Sequence, residues 1–338
     1  MSQIAPTAES IRVCVRVRPS RENEGSSLSC SSKVLSMAGG GQSFAFSGVY
    51  GGCNNQSFHA DECMRLVDQL LEGFNGCMLC YGQTGSGKTY TVMGEEGDKG
   101  CIERAVEAVF AVLESRRSAP GGQKASEADS KNAKNAETGT ETGTETESGV
   151  EEEGCTTETK VEETFDYDAK VQFLEVYGEE VRDLLGDSPS KSLALRDIFS
   201  ESGSSSNVVN TGEVAVVGSR FIPVSSSRDV TSLVQKGMSR RITGETAMNN
   251  HSSRSHAVFC LTLKQSLCKV TTTTATVDNV TSDPTTTKVT TVANSKLYFV
   301  DLAGSERQKK TQATGRRLAE GERYFICFIY FMYLLLFF

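Results

Sequence analysis

Gly82-Gln83-Thr84-Gly85-Ser86-Gly87-Lys88-Thr89 fits the pattern G-x-x-x-x-G-K-[ST] and governs how the flanking segments are read. Cys77 to Tyr81, just before it, is a short apolar run that predicts a central buried strand. A helix is predicted after it. The glycines let the backbone wrap an anion closely, with successive N–H groups turned inward. Lys88 can reach β- and γ-phosphates, and the Thr89 hydroxyl suits Mg2+. The strand–loop–helix context separates this stretch from a Gly/Ser-rich turn that matches by chance. It predicts a nucleoside triphosphatase and leaves the kind open.

Upstream, Val13, Val15 and Val17 alternate with Arg12, Arg16 and Arg18, a period-two strand that Pro19 ends. Leu66, Val67, Leu70 and Leu71 form a helical stripe within Glu62 to Phe74, stopped by Asn75-Gly76. Downstream, Ile102 to Leu113 reads as helix, Val171 to Tyr177 as strand and Glu179 to Leu185 as a short helix. Val230 to Gly244 is helical, Ala257 to Leu263 a strand, and Lys296 to Asp301 a hydrophobic strand ending in an acid. This alternation predicts an α/β fold, a central, mostly parallel sheet flanked by helices.

The 338 residues allow one large unit or two domains, and 38% hydrophobic content suffices for a sizeable core. A net charge of −8 argues against a protein that coats nucleic acid. Ser118 to Thr164 holds 12 Asp+Glu and 4 Lys+Arg, so that segment carries the whole imbalance. Nearly devoid of aromatics, it reads as a disordered acidic insert. Residues 201–212 read as a second polar insert, and 266–294, rich in Thr and Val, as a hairpin arm or a floppy insert. The 11 cysteines and the polar start from Met1 to Glu9 predict reduced thiols and a cytosolic compartment. Cys77 and Cys80 are expected to be buried strand residues rather than a redox pair. His59, His251 and His256 show no Cys partner at zinc-like spacing and read as surface or loop histidines.

A triphosphatase needs groups that sense the γ-phosphate. Asp301 can hold Mg2+ through water, and Gly304 can offer an unobstructed N–H. Asn249 to His256 concentrates hydroxyls and one guanidinium; there Ser253 can complete a Mg2+ shell and Arg254 can pair with Glu306. No NKxD guanine signature is present.

With these pieces assembled, the sequence resembles the kinesin motor domain over most of residues 11–321, after an N-terminal extension of 1–10. The resemblance rests on Arg16-Val-Arg18-Pro19, Gly82 to Thr89, Asn249 to His256, and Asp301-Leu-Ala-Gly-Ser-Glu306. Val171 to Tyr177 with Glu179 to Leu185 is similar to that family's strand–helix signature, and 301–321 resembles the chromokinesin-type branch. The resemblance implies a P-loop ATPase that uses ATP and Mg2+, a microtubule partner and a place on the cytoskeleton. It implies that Arg16 and Pro19 flank the adenine while Tyr90 stacks on it. It further implies that the loop from Gly82 through Gln83, Thr84, Gly85, Ser86 and Gly87 to Lys88 holds phosphates, and that Thr89 and Ser253 hold Mg2+. Arg254 and Glu306 would close behind ATP and orient the attacking water.

Two departures stand out. Glu103 replaces a usual Pro at a helix start, where an acid also suits the dipole. After Gly321 the chain reads Glu322-Arg323 and then an uninterrupted apolar stretch from Tyr324 to Phe338. As a helix it would span about 22 Å, short of the ~30 Å of a hydrocarbon core, so a membrane anchor is disfavoured. Residues 322–338 read as a non-family tail, as truncation or read-through would produce, with the motor fold incomplete at its C-terminus. The alternative function is therefore a non-stepping fragment that binds nucleotide or microtubules without motor activity. The acidic insert is expected to project away from a negatively charged track.

Overall fold

The computed structural model describes residues 11–19, 28–37, 41–51, 55–118, 155–178, 180–188, 191–201, 208–243, 254–277, 280–281 and 283–305. The N-terminal part comprises β1 (Cys14–Arg16), β2 (Leu28–Cys30), β3 (Val34–Met37), β4 (Ser43–Ala45) and β5 (Gly48–Tyr50). Next come α1 (Asn55–Phe58), a π-helical turn (His59–Cys63), α2 (Met64–Leu71), β6 (Gly76–Cys80) and α3 (Lys88–Met93). A small hairpin, β7 (Gly94–Glu95) and β8 (Asp98–Lys99), leads into α4 (Cys101–Ser118). The rest is β9 (Cys155–Tyr177), β10 (Glu180–Asp183), β11 (Ser192–Glu201), β12 (Val208–Val217) and β13 (Ile222–Val224). It closes with α5 (Ser227–Thr243), β14 (His256–Val277), β15 (Val280–Thr281) and β16 (Thr285–Asp301).

The expected helix-flanked α/β sheet is present, and it is mixed. Its strands run in the order β12-β11-β10-β9-β14-β16-β6. The β16–β6 pair is parallel, with Asp301 opposite Cys80, and the other neighbours along this path are antiparallel. β1 and β5 form a separate parallel pair. Among the described residues β6 therefore ends the sheet rather than lying at its centre, and its Leu79 is 50% exposed. An apolar run predicts a strand but carries no information on which neighbours it finds.

Alternation along β14 sorts the core. Ala257, Phe259, Leu261 and Leu263 join α2, α4 and α5 in the main cluster. Val258 and Cys260 join Tyr298, Val300 and Leu302 in a smaller one. Phe173, Phe259 and Phe299 meet across three adjacent strands, the first pair edge-to-face and the second tilted, at centroid distances of 6.0 and 6.4 Å. Each is fully buried, worth roughly 2–3 kcal/mol of transfer free energy. Helix α5 starts from a reciprocal cap: Asp229 accepts from the Ser225 and Ser226 amides, and its own N–H donates to Ser226 Oγ at 3.3 Å.

Several expectations change here. Glu179 to Leu185 is not a helix; 180–183 is a strand pairing with 174–177. Val181 and Asp183 alternate inward with a period of two, and the Asp183 carboxylate accepts the Leu185 N–H at 2.9 Å, turning the chain away from a helix. The acidic insert is shorter than read: 155–164 continues β9 and pairs with 268–277. Likewise β11 and β12 run into the polar insert at 201–212, and the described residues of 266–294 form a hairpin arm, with Ala257 to Thr273 of β14 pairing Asp301 to Thr285 of β16. Thr and Val, branched at Cβ, suit this extended backbone and outweigh the polarity that suggested loops. Residues 1–10, 119–154, 202–207 and the tail 322–338 lie outside the described residues. No described helix is long and apolar enough to cross a membrane.

Candidate functional site

The loop between β6 and α3 has the backbone that its glycines allow. Gly85 and Gly87 adopt φ of 77° and 98°, the left-handed region where side chains are strained. A Cβ at Gly87 would stand 3.4 Å from the Arg16 guanidinium. Lys88 folds over the loop and donates to Gly82 O at 2.8 Å and Gln83 O at 2.9 Å. Ser86 N donates to Gln83 O, closing the turn at 3.1 Å.

Parallel pairing of β6 with β16 brings the ends of both strands to the same edge. There Asp301, 1% exposed, receives two hydrogen bonds on Oδ2: Thr89 Oγ1 at 2.7 Å and Arg241 Nη1 at 2.8 Å. Asp301 Oδ1 is buried and has no hydrogen-bond partner among the described residues. A buried carboxylate oxygen left over beside a threonine hydroxyl is a hard-oxygen donor set, which fits Mg2+ directly or through its water shell. Downstream of Asp301, Leu302 N donates to Cys80 O at 3.2 Å and Ser305 N to Gly82 O at 3.1 Å, which ties Gly304 beside the loop.

A second segment arrives from β14. Ser255 is fully buried and accepts from Arg241 Nη2 at its carbonyl, 3.0 Å. His256 Nδ1 accepts from Ala303 N at 3.0 Å, so its proton sits on Nε2. Burial and the nearby Arg241 cation push the His256 pKa down to about 4, so the ring is neutral at pH 7. Arg254 is exposed at the start of this segment. Ser253 and Glu306 lie outside the described residues.

On the far side of the loop, the Arg16 guanidinium lies 5.0 Å from the Tyr90 ring centroid and donates to Thr91 Oγ1 at 3.1 Å. Arg18 donates to Gly85 O, and the Tyr90 hydroxyl bonds Asp98, itself paired with Arg104 at 3.2 Å. Pro19 is exposed at the end of this strand. Arg16, Tyr90, the loop from Gly82 to Thr89, Asp301 and Gly304 thus converge on one region.

Sequence reading missed two participants. Arg241, 2% exposed in the last turn of α5, bridges Asp301 and the Ser255 carbonyl, with Glu175 Oε1 3.8 Å from its Nε. Its signal was weak, a basic pair at a helix end. Glu175 was more legible, as an acid inside the apolar run Val171 to Tyr177. His59 is also corrected: it is buried beside Cys101, not on the surface. No disulfide links the described cysteines, and Cys77 and Cys80 are partly buried in β6, where desolvation raises both thiol pKa values.

A family model described as the kinesin motor domain matches residues 7–324. The kinesin-like protein KIF27 of Homo sapiens is 33% identical over 318 residues, covering 91% of this chain and 17% of that protein. Kinesin-like protein KIN-4A of Gossypium hirsutum is 30% identical, covering 92% and 27%. Kinesin-like protein KIN-14E of Oryza sativa subsp. japonica is 29% identical, covering 94% and 24%. The chain thus spans about a quarter or less of these relatives' length. A solved structure described as a fast kinesin, with implications for ATPase mechanism and interactions with microtubules, superposes with a TM-score of 0.62 at 25% identity. That match covers 93% of this chain and 71% of the other.

Proposed function

The chain belongs to the kinesin motor family, and on that premise we propose that it binds ATP with Mg2+ at the Gly82–Thr89 loop, hydrolyses it, and couples the cycle to microtubule binding and movement. One observation carries the reading: Asp301 joins Thr89 of the loop to Arg241 of α5 and keeps a second buried oxygen in reserve.

In this reading the N–H groups of Gly85 to Lys88 and the Lys88 ammonium hold the phosphates. Lys88 exchanges the Gly82 and Gln83 carbonyls for phosphate oxygens, a stronger charge-assisted contact. Thr89 and Ser253, with Asp301 through water, would hold Mg2+, which when bound would supply positive charge opposite the phosphate oxygens. The Gly304 N–H meets the γ-phosphate, and Arg254 with Glu306 orients the attacking water. Arg16, Pro19 and Tyr90 take the adenine side. Hydrolysis is then a matter of positioning and charge stabilisation. Making and breaking the contacts of the 249–256 and 301–306 segments with the γ-phosphate is the switch that couples to the track.

The test is ATP turnover with and without polymerised tubulin for the wild type, Lys88→Ala and Glu306→Ala. The reading expects stimulation by tubulin, loss of turnover in Lys88→Ala, and loss of stimulated turnover in Glu306→Ala. Full activity of Glu306→Ala rejects the role given to that residue. Turnover that tubulin does not change favours the non-stepping fragment.

A further inference from the structure

We infer that His59, Cys63 and Cys101 form a binding site for Zn2+, apart from the nucleotide site. Their ligand atoms all lie within 4.8 Å of one another. His59 Nδ1 is 3.3 Å from Cys101 Sγ, and Cys63 Sγ is 3.3 Å from the Cys101 carbonyl oxygen. In a tetrahedral site with Zn–S near 2.3 Å and Zn–N near 2.0 Å, neighbouring sulfur and nitrogen ligands stand about 3.5 Å apart. The pocket is therefore close to ligand spacing without rearrangement of the backbone.

Local structure explains how the three side chains meet. His59 and Cys63 open and close a single π-helical turn, whose wider winding brings residues i and i+4 together, and such turns recur at functional sites. Cys101 is the first residue of the 18-residue helix α4; the contact with Cys63 and burial push its thiol pKa well above the ordinary value, so a bound cation has to displace the thiol proton. Cys63 and Cys101 are fully buried and His59 is 4% exposed, with Phe58 edge-on to the imidazole at 5.7 Å.

Buried cysteines commonly act as small apolar groups. What distinguishes this pair is an imidazole buried with them, a polar ring that an apolar core has no use for. Charge selects the ion. Two thiolates and a neutral imidazole around Zn2+ give a complex of zero net charge, whereas Cu+ would leave one uncompensated negative charge in the core. Binding forms two Zn–S bonds and one Zn–N bond and releases the two thiol protons to solvent; a water completes the tetrahedron. The ion would fasten the π-turn to the start of α4.

The purified 338-residue chain, stripped with a chelator and dialysed against Zn2+, is expected to retain one zinc per chain by elemental analysis. Co2+ in its place is expected to show thiolate-to-metal charge-transfer absorption. Cys63→Ala, Cys101→Ala and His59→Phe should each lose this ion, whereas Cys260→Ala, a cysteine buried elsewhere in the sheet, should keep it. Zn2+ should also raise the wild-type melting temperature and leave that of Cys101→Ala unmoved. Failure of the wild type to hold stoichiometric zinc overturns the site, whatever the variants do. Retention of zinc by Cys101→Ala overturns it as well, and binding of Cu+ without Zn2+ overturns the choice of ion.

Discussion

Arg241 Nη1 lies 2.8 Å from Asp301 Oδ2, and both side chains are only 2% exposed. The pair locks the C-terminal end of α5 to the end of β16, and through Thr89 to the helix after the phosphate loop. Removing one partner strands a charge in the core, which costs about 3–5 kcal/mol. Arg241→Ala should therefore lower the urea midpoint sharply, in line with that loss. Asp301→Asn keeps the shape but deletes the acceptor charge, and it should lose nucleotide-dependent stabilisation as well. An Arg241→Ala midpoint within error of wild type would show that the pair is not closed in solution.

His256 acts as an acceptor rather than a cation. Its Nδ1 takes the Ala303 N–H at 3.0 Å and so fastens the 302–305 segment to β14. His256→Phe retains an aromatic ring but leaves that amide without its acceptor, a cost of about 1–2 kcal/mol. Hydrogen exchange at the Ala303 amide should accelerate in the variant, while amides in the centre of β14 keep their protection. Acceleration spread evenly over the whole sheet would indicate global loosening instead.

The contrast between what was legible and what was not has a physical basis. Gly82 to Thr89 and Asp301 to Gly304 could be read because their chemistry is written in consecutive residues at the end of apolar strands. Arg241 could not, since its value lies in partners 60 and 14 positions away that only the sheet brings together. The same holds for His59, whose partner Cys101 is 42 residues distant, beyond any local spacing rule. Glu180 to Asp183 misled because a helix-like composition was overridden by pairing with β9 and by the Asp183 turn. Thr271 to Thr276 had strand propensity throughout, and the uncertainty lay only in whether partners existed; β9 and β16 supply them.

A third relationship predicts how stability depends on pH. Arg12 donates to both Glu62 oxygens, at 2.6 and 2.7 Å, and the Tyr50 hydroxyl adds a third bond at 2.7 Å. The Arg12 hydrogen bonds chiefly hold the Glu62 carboxyl down at about 2, against an ordinary 4.5. A depressed carboxyl contributes stability that is present above its unfolded pKa and is lost as pH falls from about 4.5 through about 2. Arg12 is 41% exposed, so solvent screening limits the contribution to about 1–2 kcal/mol. Urea unfolding of wild type and Glu62→Gln should differ by this amount at pH 7 and converge at the acid end. A constant gap across that range would assign the difference to packing rather than to charge.

Gly237 offers the last test, because two effects of opposite sign meet there. It lies inside α5, where replacing glycine by alanine ordinarily gains up to about 1 kcal/mol in helix propensity. Here an added Cβ would stand 2.3 Å from Phe173 Cδ1 and 2.7 Å from Cε1, inside contact distance of a fully buried ring. That ring also packs edge-to-face with Phe259 at a centroid distance of 6.0 Å, and overpacking in such a core costs about 1–3 kcal/mol. Overpacking should win, and Gly237→Ala should melt below wild type. Phe173→Leu trims the ring and is destabilising on its own. In its presence the alanine should turn neutral or stabilising, so the double-mutant cycle should show a coupling of about 1–3 kcal/mol. Additive effects would mean that α5 can move away from the sheet, and the close packing argued for Arg241 at the end of the same helix would lose its support.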